Sequence, residues 1–191
     1  MKDICKRLEI DTKIYKEKSF LAAISSAKDE LITPTELMQR ALTSSDYAKR
    51  KQAEVYREYQ EALHKNNALD FDDLIMKTVE LLQSDPEVKN YYQERFHYIM
   101  VDEYQDTNQA QFRLVSLLSS KHNNLCVVGD DDQSIYKFRG ATIENILSFE
   151  KQFVGSRVIR LEQNYRSTQT ILDAANSAVS YTHLTLPTTS R

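Results

Sequence analysis

Residues 97–106 read His-Tyr-Ile-Met-Val-Asp-Glu-Tyr-Gln-Asp, a short apolar run that ends abruptly in two adjacent carboxylates. Such a run is typical of a buried strand, and open α/β sheets bind their ligands at the carboxyl ends of these strands. Asp102 and Glu103 therefore predict a magnesium-nucleotide site, in which one carboxylate holds the metal and the other addresses the attacking water. From this stretch alone, the alternative is that Asp102 and Glu103 are two solvated acids at the end of a strand.

A second apolar run, residues 125–128, is followed by Gly129-Asp130-Asp131-Asp132-Gln133. Because the carboxyl ends of neighbouring parallel strands converge on one crevice, two such ends favour a ligand site over solvated acids. We expect Gly129 to permit a turn that most residues resist. Gln133 offers both a donor and an acceptor, as a group that senses a phosphate or a water would need.

The chain before residue 97 predicts helices almost throughout. Their predicted ranges are 19–31, 34–42, about 44–65, 71–83 and 86 to about 96. Thr33-Pro34-Thr35-Glu36 is a capping box, and Asp70 is a good N-cap for the helix that begins at Phe71. The sequence therefore predicts an all-helical subdomain on the N-terminal side.

From residue 98 the pattern changes to strands that alternate with helices. Apolar strands are predicted at 98–101, 125–128 and 157–161, and helices at about 108–119, 143–149 and 170–179. This alternation predicts an α/β fold, with a partial parallel sheet of at least three strands flanked by helices.

Composition narrows the class of protein. The 191 residues carry a formal charge of −3 and only three glycines and three prolines, which is typical of a helix-rich globular protein without the charge of a dedicated nucleic-acid binder. No apolar run approaches the roughly 18 residues of a membrane span, and no signal peptide is present, so a cytoplasmic protein without membrane partners is expected. Cys5 and Cys126 are separated, which favours free thiols.

Aromatic and cationic residues alternate after Gln133. Tyr136, Phe138 and Arg139 suit single-stranded nucleic acid, because bases stack on aromatic rings while guanidinium groups contact phosphates. The alternative is that the rings fill the core beside a turn. Arg166 next to Tyr165 suits a phosphate and a base in the same way, although a surface ion pair is the commoner role of a single arginine.

Four stretches together resemble a known family, the UvrD/Rep/PcrA-type superfamily 1 DNA helicases. Residues 101–108, 129–141 and 163–168 resemble motifs II, III and IV, and residues 68–74 resemble the segment that those enzymes carry before motif II. The order and spacing match as well, over roughly residues 1–180. The resemblance implies a partial RecA-like sheet and an ATP-dependent DNA helicase or translocase that acts on single-stranded and duplex DNA.

The same resemblance implies roles for particular residues. Asp102 would hold Mg²⁺, Glu103 would be the general base, and Gln133 would sense the γ-phosphate of ATP. Tyr165 would stack on the adenine and Arg166 would act as the arginine finger. The single-strand track would consist of Phe71, Tyr136, Phe138 and Arg139.

The resemblance also implies domain boundaries. Residues 1–65 would be a DNA-facing helical insertion, 66–166 the later part of the first RecA-like domain, and 167–180 the start of the second. Residues 181–191 resemble a vector-encoded read-through tail. The Gly-x-x-x-x-Gly-Lys-Thr/Ser phosphate loop is not in the sequence. We therefore expect an internal fragment without ATPase activity, or alternatively an inactive module that binds single-stranded DNA or protein.

Overall fold

The computed structural model describes residues 1–133 and 140–184. Six helices precede the first strand: α1 (Lys2–Arg7), α2 (Glu17–Asp29), α3 (Pro34–Leu42), α4 (Tyr47–Lys65), α5 (Phe71–Ser84) and α6 (Pro86–Arg95). The order then continues with β1 (Ile99–Val101), α7 (Gln109–Ser119), β2 (Leu125–Val127), α8 (Glu144–Leu147), α9 (Phe149–Gln152) and α10 (Gln169–Leu184). The described part of the chain is therefore mostly helical.

Local capping signals determine where several helices begin, as the sequence predicted. Thr33 and Glu36 form the predicted capping box at α3, and Asp70 and Asp73 form one at α5. Asp85 then caps α6, because its carboxylate accepts hydrogen bonds from two backbone N–H groups in the first turn. These caps satisfy donors that a helix leaves without an intrahelical partner.

The core of the helical part is built from the first four helices. Its buried side chains are Ile4, Cys5, Phe20, Ile24, Ala27, Ile32, Val55 and Tyr56. Helix α4 packs against α1, α2 and α3, while α5 packs against α2, α6 and α7. Helix α5 therefore links the helical part to the segment that carries the strands.

The two strands pair in parallel, with Ile99 opposite Leu125 and Val101 opposite Val127. Helix α7 provides the crossover between them, as the alternation of strand and helix predicted. The described residues thus contain a small two-stranded parallel sheet, which is compatible with a partial α/β domain.

The third predicted strand, at 157–161, is wrong: the described structure has no strand there. A strand requires a neighbour that supplies backbone hydrogen-bond partners, and no sheet pairing reaches this segment in the described residues. Its apolar residues Val158, Ile159 and Leu161 are all exposed. An apolar pattern alone is therefore not enough to form a strand.

The predicted helix at 143–149 is instead two short helices, α8 and α9, that meet at Ser148. The Ser148 hydroxyl donates to the Glu144 carbonyl. Helix α10 continues to Leu184, beyond residue 179, where the predicted helix ended. Both cysteines are free, with Cys5 buried and Cys126 exposed. Among the described residues, no helix is both long enough and apolar enough to cross a membrane.

Candidate functional site

Backbone hydrogen bonds join the carboxyl ends of the two strands. Val128 N donates to Val101 O over 2.8 Å, and Tyr104 N donates to Val128 O over 2.9 Å. The residues after β1 are therefore held beside the residues after β2. This geometry confirms that the two polar strand ends meet at one edge of the sheet.

Gln105 connects these two ends through its side chain. Its Oε1 accepts a hydrogen bond from Asp130 N over 3.0 Å, and its Nε2 donates to Glu103 Oε2 over 2.8 Å. The side chain is buried, at 1% exposure, so both partners are fixed by a group that solvent does not reach. Sequence reasoning missed Gln105, although its position two residues after Glu103 was a signal that could have indicated it.

Glycine is required at position 129 because a side chain would not fit there, and not because the backbone adopts a conformation that only glycine favours. It is absent from the glycines with positive φ, so the prediction that it permits an unusual turn is wrong. A Cβ atom at Gly129 would lie 2.7 Å from Gln105 Oε1 and 2.8 Å from Ile146 Cδ1. Only glycine therefore lets the backbone come this close to the Gln105 side chain.

Glu103 adopts an unusual backbone conformation, with φ of 50° and ψ of 43°. This left-handed region is uncommon for residues other than glycine and is often found at functional sites. Strand β1 ends at Val101, so the two carboxylates lie in a bend and do not simply alternate across a strand. Asp102 Oδ1 accepts a hydrogen bond from Glu103 N over 2.9 Å, and both side chains are exposed.

Gln133 lies at the same edge, in a short 3₁₀ turn formed by Asp131–Gln133. Its Nε2 donates to Asp130 Oδ2 over 2.7 Å. A continuous series of hydrogen bonds therefore runs from Gln133 through Asp130 and Gln105 to Glu103. The structure brings two of the predicted catalytic residues into one network through two residues that were not predicted.

The carboxylates at this edge provide the hard oxygen ligands that Mg²⁺ prefers. Asp102 and Asp130 are exposed, and Asp102 directly follows β1 as the first residue of the bend. The donor chemistry therefore fits a magnesium ion, and Asp102 is the residue that sequence reasoning assigned to it.

Tyr165 and Arg166 lie in the segment without helix or strand that precedes α10. Tyr165 is 93% exposed, and the backbone N–H groups of Arg166 and Ser167 donate to Asn164 Oδ1. In the described residues neither Tyr165 nor Arg166 hydrogen bonds to Asp102, Glu103 or Gln133. The roles of Tyr165 in adenine stacking and of Arg166 as an arginine finger stay predictions.

Phe71 begins helix α5 and is 90% exposed. It borders a shallow groove whose other lining residues are Leu21, Ile24, Ser25, Tyr59, Asp70 and Asp72. The lining is mixed, with apolar side chains beside Ser25 and two aspartates, and the exposed Phe71 ring at its border is available for stacking. The other residues predicted for the single-strand track, Tyr136, Phe138 and Arg139, lie outside the described residues.

A buried ion-pair cluster fixes the start of α5 beneath Phe71. The Lys28 side chain is 0% exposed, and its Nζ lies 2.7 Å from Asp70 Oδ2 and 2.9 Å from Asp73 Oδ1. Tyr59 and Gln60 donate to the two carboxylates, so these buried charges have additional partners. Burial works to raise the pKa of Asp70, but the hydrogen bond from Lys28 and weaker contributions outweigh it and lower the pKa. Burial raises the pKa of Tyr59 to about 12.

Asp29, the residue after Lys28, joins helix α2 to the loop that follows β1. Asn108 Nδ2 donates to Asp29 Oδ1 over 2.6 Å, and Asn145 Nδ2 donates to Thr107 O over 3.0 Å. Gly140 has φ of +74°, and a Cβ atom there would lie 2.9 Å from Asp29 Oδ2. The C-terminal end of α2 therefore contacts both loops of the candidate site. Sequence reasoning missed both Lys28 and Asp29.

Comparison with known proteins identifies relatives of the chain. The family model described as the UvrD/REP helicase N-terminal domain matches residues 1–154. The chain is 55% identical over 179 residues to the ATP-dependent DNA helicase PcrA of Staphylococcus aureus. This aligned region covers 94% of the chain and 24% of that protein. The chain is 52% identical over 181 residues to PcrA of Staphylococcus epidermidis, covering 95% of the chain and 24% of that protein. The chain thus spans about a quarter of the length of these relatives.

Proposed function

The chain belongs to the UvrD/REP helicase N-terminal domain family, and from this premise we propose that it forms part of an ATP-dependent DNA helicase or translocase. Such a protein would couple hydrolysis of Mg-ATP to movement along single-stranded DNA and to unwinding of duplex DNA. The observation that carries the proposal is the hydrogen-bond series from Gln133 to Glu103 at the carboxyl edge of a parallel sheet. This is where α/β nucleotide-binding proteins place their ligands.

Each residue at this edge has a proposed role that suits its chemistry. Asp102 would hold Mg²⁺ with its exposed carboxylate, while Glu103 would accept a proton from the attacking water. Gln105 fixes the Glu103 carboxylate through one of its oxygens. Magnesium, when bound with nucleotide, would neutralise negative charge on the phosphates.

Gln133 is the proposed sensor of the γ-phosphate. Its amide donates to Asp130, so a phosphate that attracts this amide would have to compete with the Asp130 carboxylate. A change at Gln133 would reach Glu103 through Asp130 and Gln105. Tyr165 and Arg166 would complete the nucleotide site by stacking on the adenine and contacting a phosphate.

The DNA-facing part would comprise the helical segment and the aromatic track. We assign residues 1–65 to the helical insertion, 66–166 to the later part of a RecA-like domain, and 167–180 to the start of the second domain. Phe71, Tyr136, Phe138 and Arg139 would hold single-stranded DNA by stacking and phosphate contact. The 90% exposure of Phe71 supports this role.

Replacement of the matching segment in S. aureus PcrA tests the proposal. A chimera that carries this chain's residues in place of the 55% identical segment should hydrolyse ATP in response to single-stranded DNA. Glu103→Gln in that chimera should lower the turnover by at least about 100-fold while it largely spares nucleotide binding. Glu150→Gln, an exposed glutamate in α9, is the matched control and should leave turnover unchanged. Full turnover by Glu103→Gln would show that Glu103 is not the base.

We further propose that the 191-residue chain does not hydrolyse ATP by itself. It contains no Gly-x-x-x-x-Gly-Lys-Thr/Ser loop, and so it has no lysine and hydroxyl pair to surround the β- and γ-phosphates. A steady-state ATPase assay with single-stranded DNA measures this. Robust Mg-dependent turnover by the chain alone would contradict the proposal.

A second candidate function is binding of single-stranded DNA or a partner protein without catalysis. The exposed Phe71 ring beside its groove favours this alternative. Fluorescence anisotropy of a labelled oligonucleotide distinguishes the two. Salt-sensitive binding by the isolated chain, together with an inactive chimera, would support the binding module over the helicase.

A further inference from the structure

Three metal-ligating side chains meet at the amino end of the sheet, opposite the candidate nucleotide edge. Glu94 lies in the last turn of α6, His97 precedes β1 by two residues, and His122 lies between α7 and β2. One ligand atom from each of the three lies within 4.8 Å of the others. Because β1 and β2 are parallel, the segments that lead into them lie side by side.

We propose that Glu94, His97 and His122 form a binding site for Zn²⁺ or a chemically similar divalent transition metal. Two imidazole nitrogens and one carboxylate oxygen are a ligand set that such metals accept, with a fourth position left for water or another ligand. The inference concerns residues that the proposed helicase chemistry does not use.

The distances are close to those that a bound ion requires. Glu94 Oε2 lies 3.9 Å from His97 Nε2 and 3.8 Å from His122 Nε2. Tetrahedral zinc with bonds of about 2.1 Å places its ligand atoms ~3.4 Å apart. Closure around the metal therefore shortens each of these two Glu94–histidine distances by about half an ångström.

The two imidazole rings are stacked beside this carboxylate, so at least one ring must rotate about its side-chain bonds before both Nε2 lone pairs, which lie in the ring planes, point at one ion. Their centroids are 4.4 Å apart and the rings are nearly parallel, with an interplanar angle of 18°. His122 Nε2 is buried and has no hydrogen-bond partner among the described residues, although it lies near the Glu94 carboxylate. A buried ring nitrogen without a partner is unfavourable, and a metal ion would satisfy it.

Lys121 is the competitor for the site. Its ammonium forms an ion pair with Glu94 Oε1 and also donates to Asn90 Oδ1 over 2.5 Å. Metal binding would place a second positive charge near the ammonium, and the two cations would repel each other.

A bound ion would connect the segments that lead into the two strands. Asn124 already joins these segments. Its side-chain Nδ2 donates to the backbone oxygen of His97, and its own backbone oxygen accepts from Ile99 N. The metal would add a second connection there. Residue 102 lies five residues beyond His97, about 16 Å along an extended chain, so this site is separate from the proposed Mg²⁺ site.

Isothermal titration of the metal-free 191-residue chain with Zn²⁺ tests the proposal. The Cys126→Ser background removes the exposed thiol, which is another zinc ligand. We expect one equivalent of Zn²⁺ to bind, and His97→Ala, His122→Ala and Glu94→Gln each to weaken binding by about tenfold or more. His64→Ala is the matched control, because His64 is an exposed histidine on α4 and should have no effect.

Lys121→Ala should change the Zn²⁺ affinity in the opposite direction from the three ligand variants. Removal of the competing ammonium should strengthen Zn²⁺ binding, whereas binding at a distant surface histidine such as His64 would not respond to Lys121. Circular dichroism of each variant confirms that it is folded, and Co²⁺ absorption typical of tetrahedral coordination provides a second measurement that does not depend on affinity. Equal weakening by His64→Ala, or Zn²⁺ binding that survives the loss of both His97 and His122, would overturn the proposal.

Discussion

The Gln105 side-chain amide donates to Glu103 Oε2 over 2.8 Å, and its carbonyl oxygen accepts from Asp130 N over 3.0 Å. One buried glutamine therefore holds the left-handed Glu103 in place and ties it to the end of the neighbouring strand. The conformation of Glu103 is unfavourable for a residue with a Cβ, so the surrounding contacts must stabilise it. The Glu103 carboxylate is thus positioned by the fold as well as by the sequence of the strand end.

We predict that Gln105→Ala loosens both strand ends. Loss of the amide leaves Asp130 N without its partner and releases the Glu103 carboxylate, which should lower the free energy of unfolding by about 1–3 kcal/mol. In the PcrA chimera, turnover should fall while the Glu103 side chain is still present. Urea unfolding and the ATPase assay measure the two effects. Gln39→Ala, on the exposed face of α3, is the control, and equal loss in both variants would exclude a specific role for Gln105.

We predict that Lys28→Ala strongly destabilises the chain. The change leaves the Asp73 carboxylate buried at 0% exposure without its cation, and loss of one partner of a buried pair costs about 3–5 kcal/mol. Lys77→Ala is the matched control, because Lys77 pairs with Glu80 on an exposed surface and should cost less than about 1 kcal/mol. The midpoint of urea unfolding distinguishes them. A small effect of Lys28→Ala would mean that the cluster relaxes or admits water.

Contacts between residues that are close in the sequence were predicted, whereas contacts between residues that are far apart in the sequence were not. The caps at Thr33 and Asp70 depend on residues within three positions, so the local pattern was enough to predict them. Lys28 and Asp70 are 42 residues apart, and Asp29 and Asn108 are 79 apart. No local pattern indicates such pairs, because they depend on how the helices pack.

The strands show the same distinction. The apolar patterns at β1 and β2 were interpreted correctly because each strand finds the other as a partner. The same kind of pattern at 157–161 did not form a strand, since sheet pairing depends on a second segment that the pattern does not contain. Asp102 and Glu103 were predicted as site residues from their position after β1, whereas the hydrogen bonds of Gln105 and the bend at Glu103 became evident only from the three-dimensional contacts.

Tyr104 provides a test of stability against pH. It is fully buried, and its hydroxyl has no hydrogen-bond partner among the described residues. Burial raises its pKa to about 12. The ordinary pKa is about 10, so the folded state retains this proton more strongly than the unfolded state, and the resulting stabilisation is complete below about pH 10 and is lost as the pH rises through about 12.

We therefore predict that Tyr104→Phe reduces the loss of stability at alkaline pH. Phenylalanine cannot ionise and removes an unsatisfied buried hydroxyl, so the variant should equal the parent or exceed it by about 1 kcal/mol at neutral pH. Its advantage should increase between about pH 9 and about pH 12. Thermal unfolding across this range measures the difference. Tyr98→Phe, at a ring that is 80% exposed, is the control and should follow the parent.

Phe71→Ala should weaken binding of single-stranded DNA without destabilising the chain. The ring is 90% exposed, so its removal opens no cavity, whereas loss of one stacked base costs about 1–3 kcal/mol of binding free energy. Anisotropy of a labelled oligonucleotide and thermal unfolding measure the two quantities separately. Tyr98→Ala removes another exposed ring, which precedes β1, and should leave DNA affinity unchanged. Equal affinities of Phe71→Ala and the parent would remove Phe71 from the DNA track.

Gly129→Ala tests whether close contact with Gln105 keeps the two strand ends together. The added Cβ would lie 2.7 Å from Gln105 Oε1 and 2.8 Å from Ile146 Cδ1, so one of these side chains or the backbone must move. Overpacking of this kind costs about 1–3 kcal/mol. In the double variant with Gln105→Ala the nearest obstacle is gone, and the two changes should therefore cost less together than the sum of their separate effects. Urea unfolding of the parent, the two single variants and the double variant measures this coupling. Strict additivity of the free-energy changes would show that Gly129 is not constrained by Gln105.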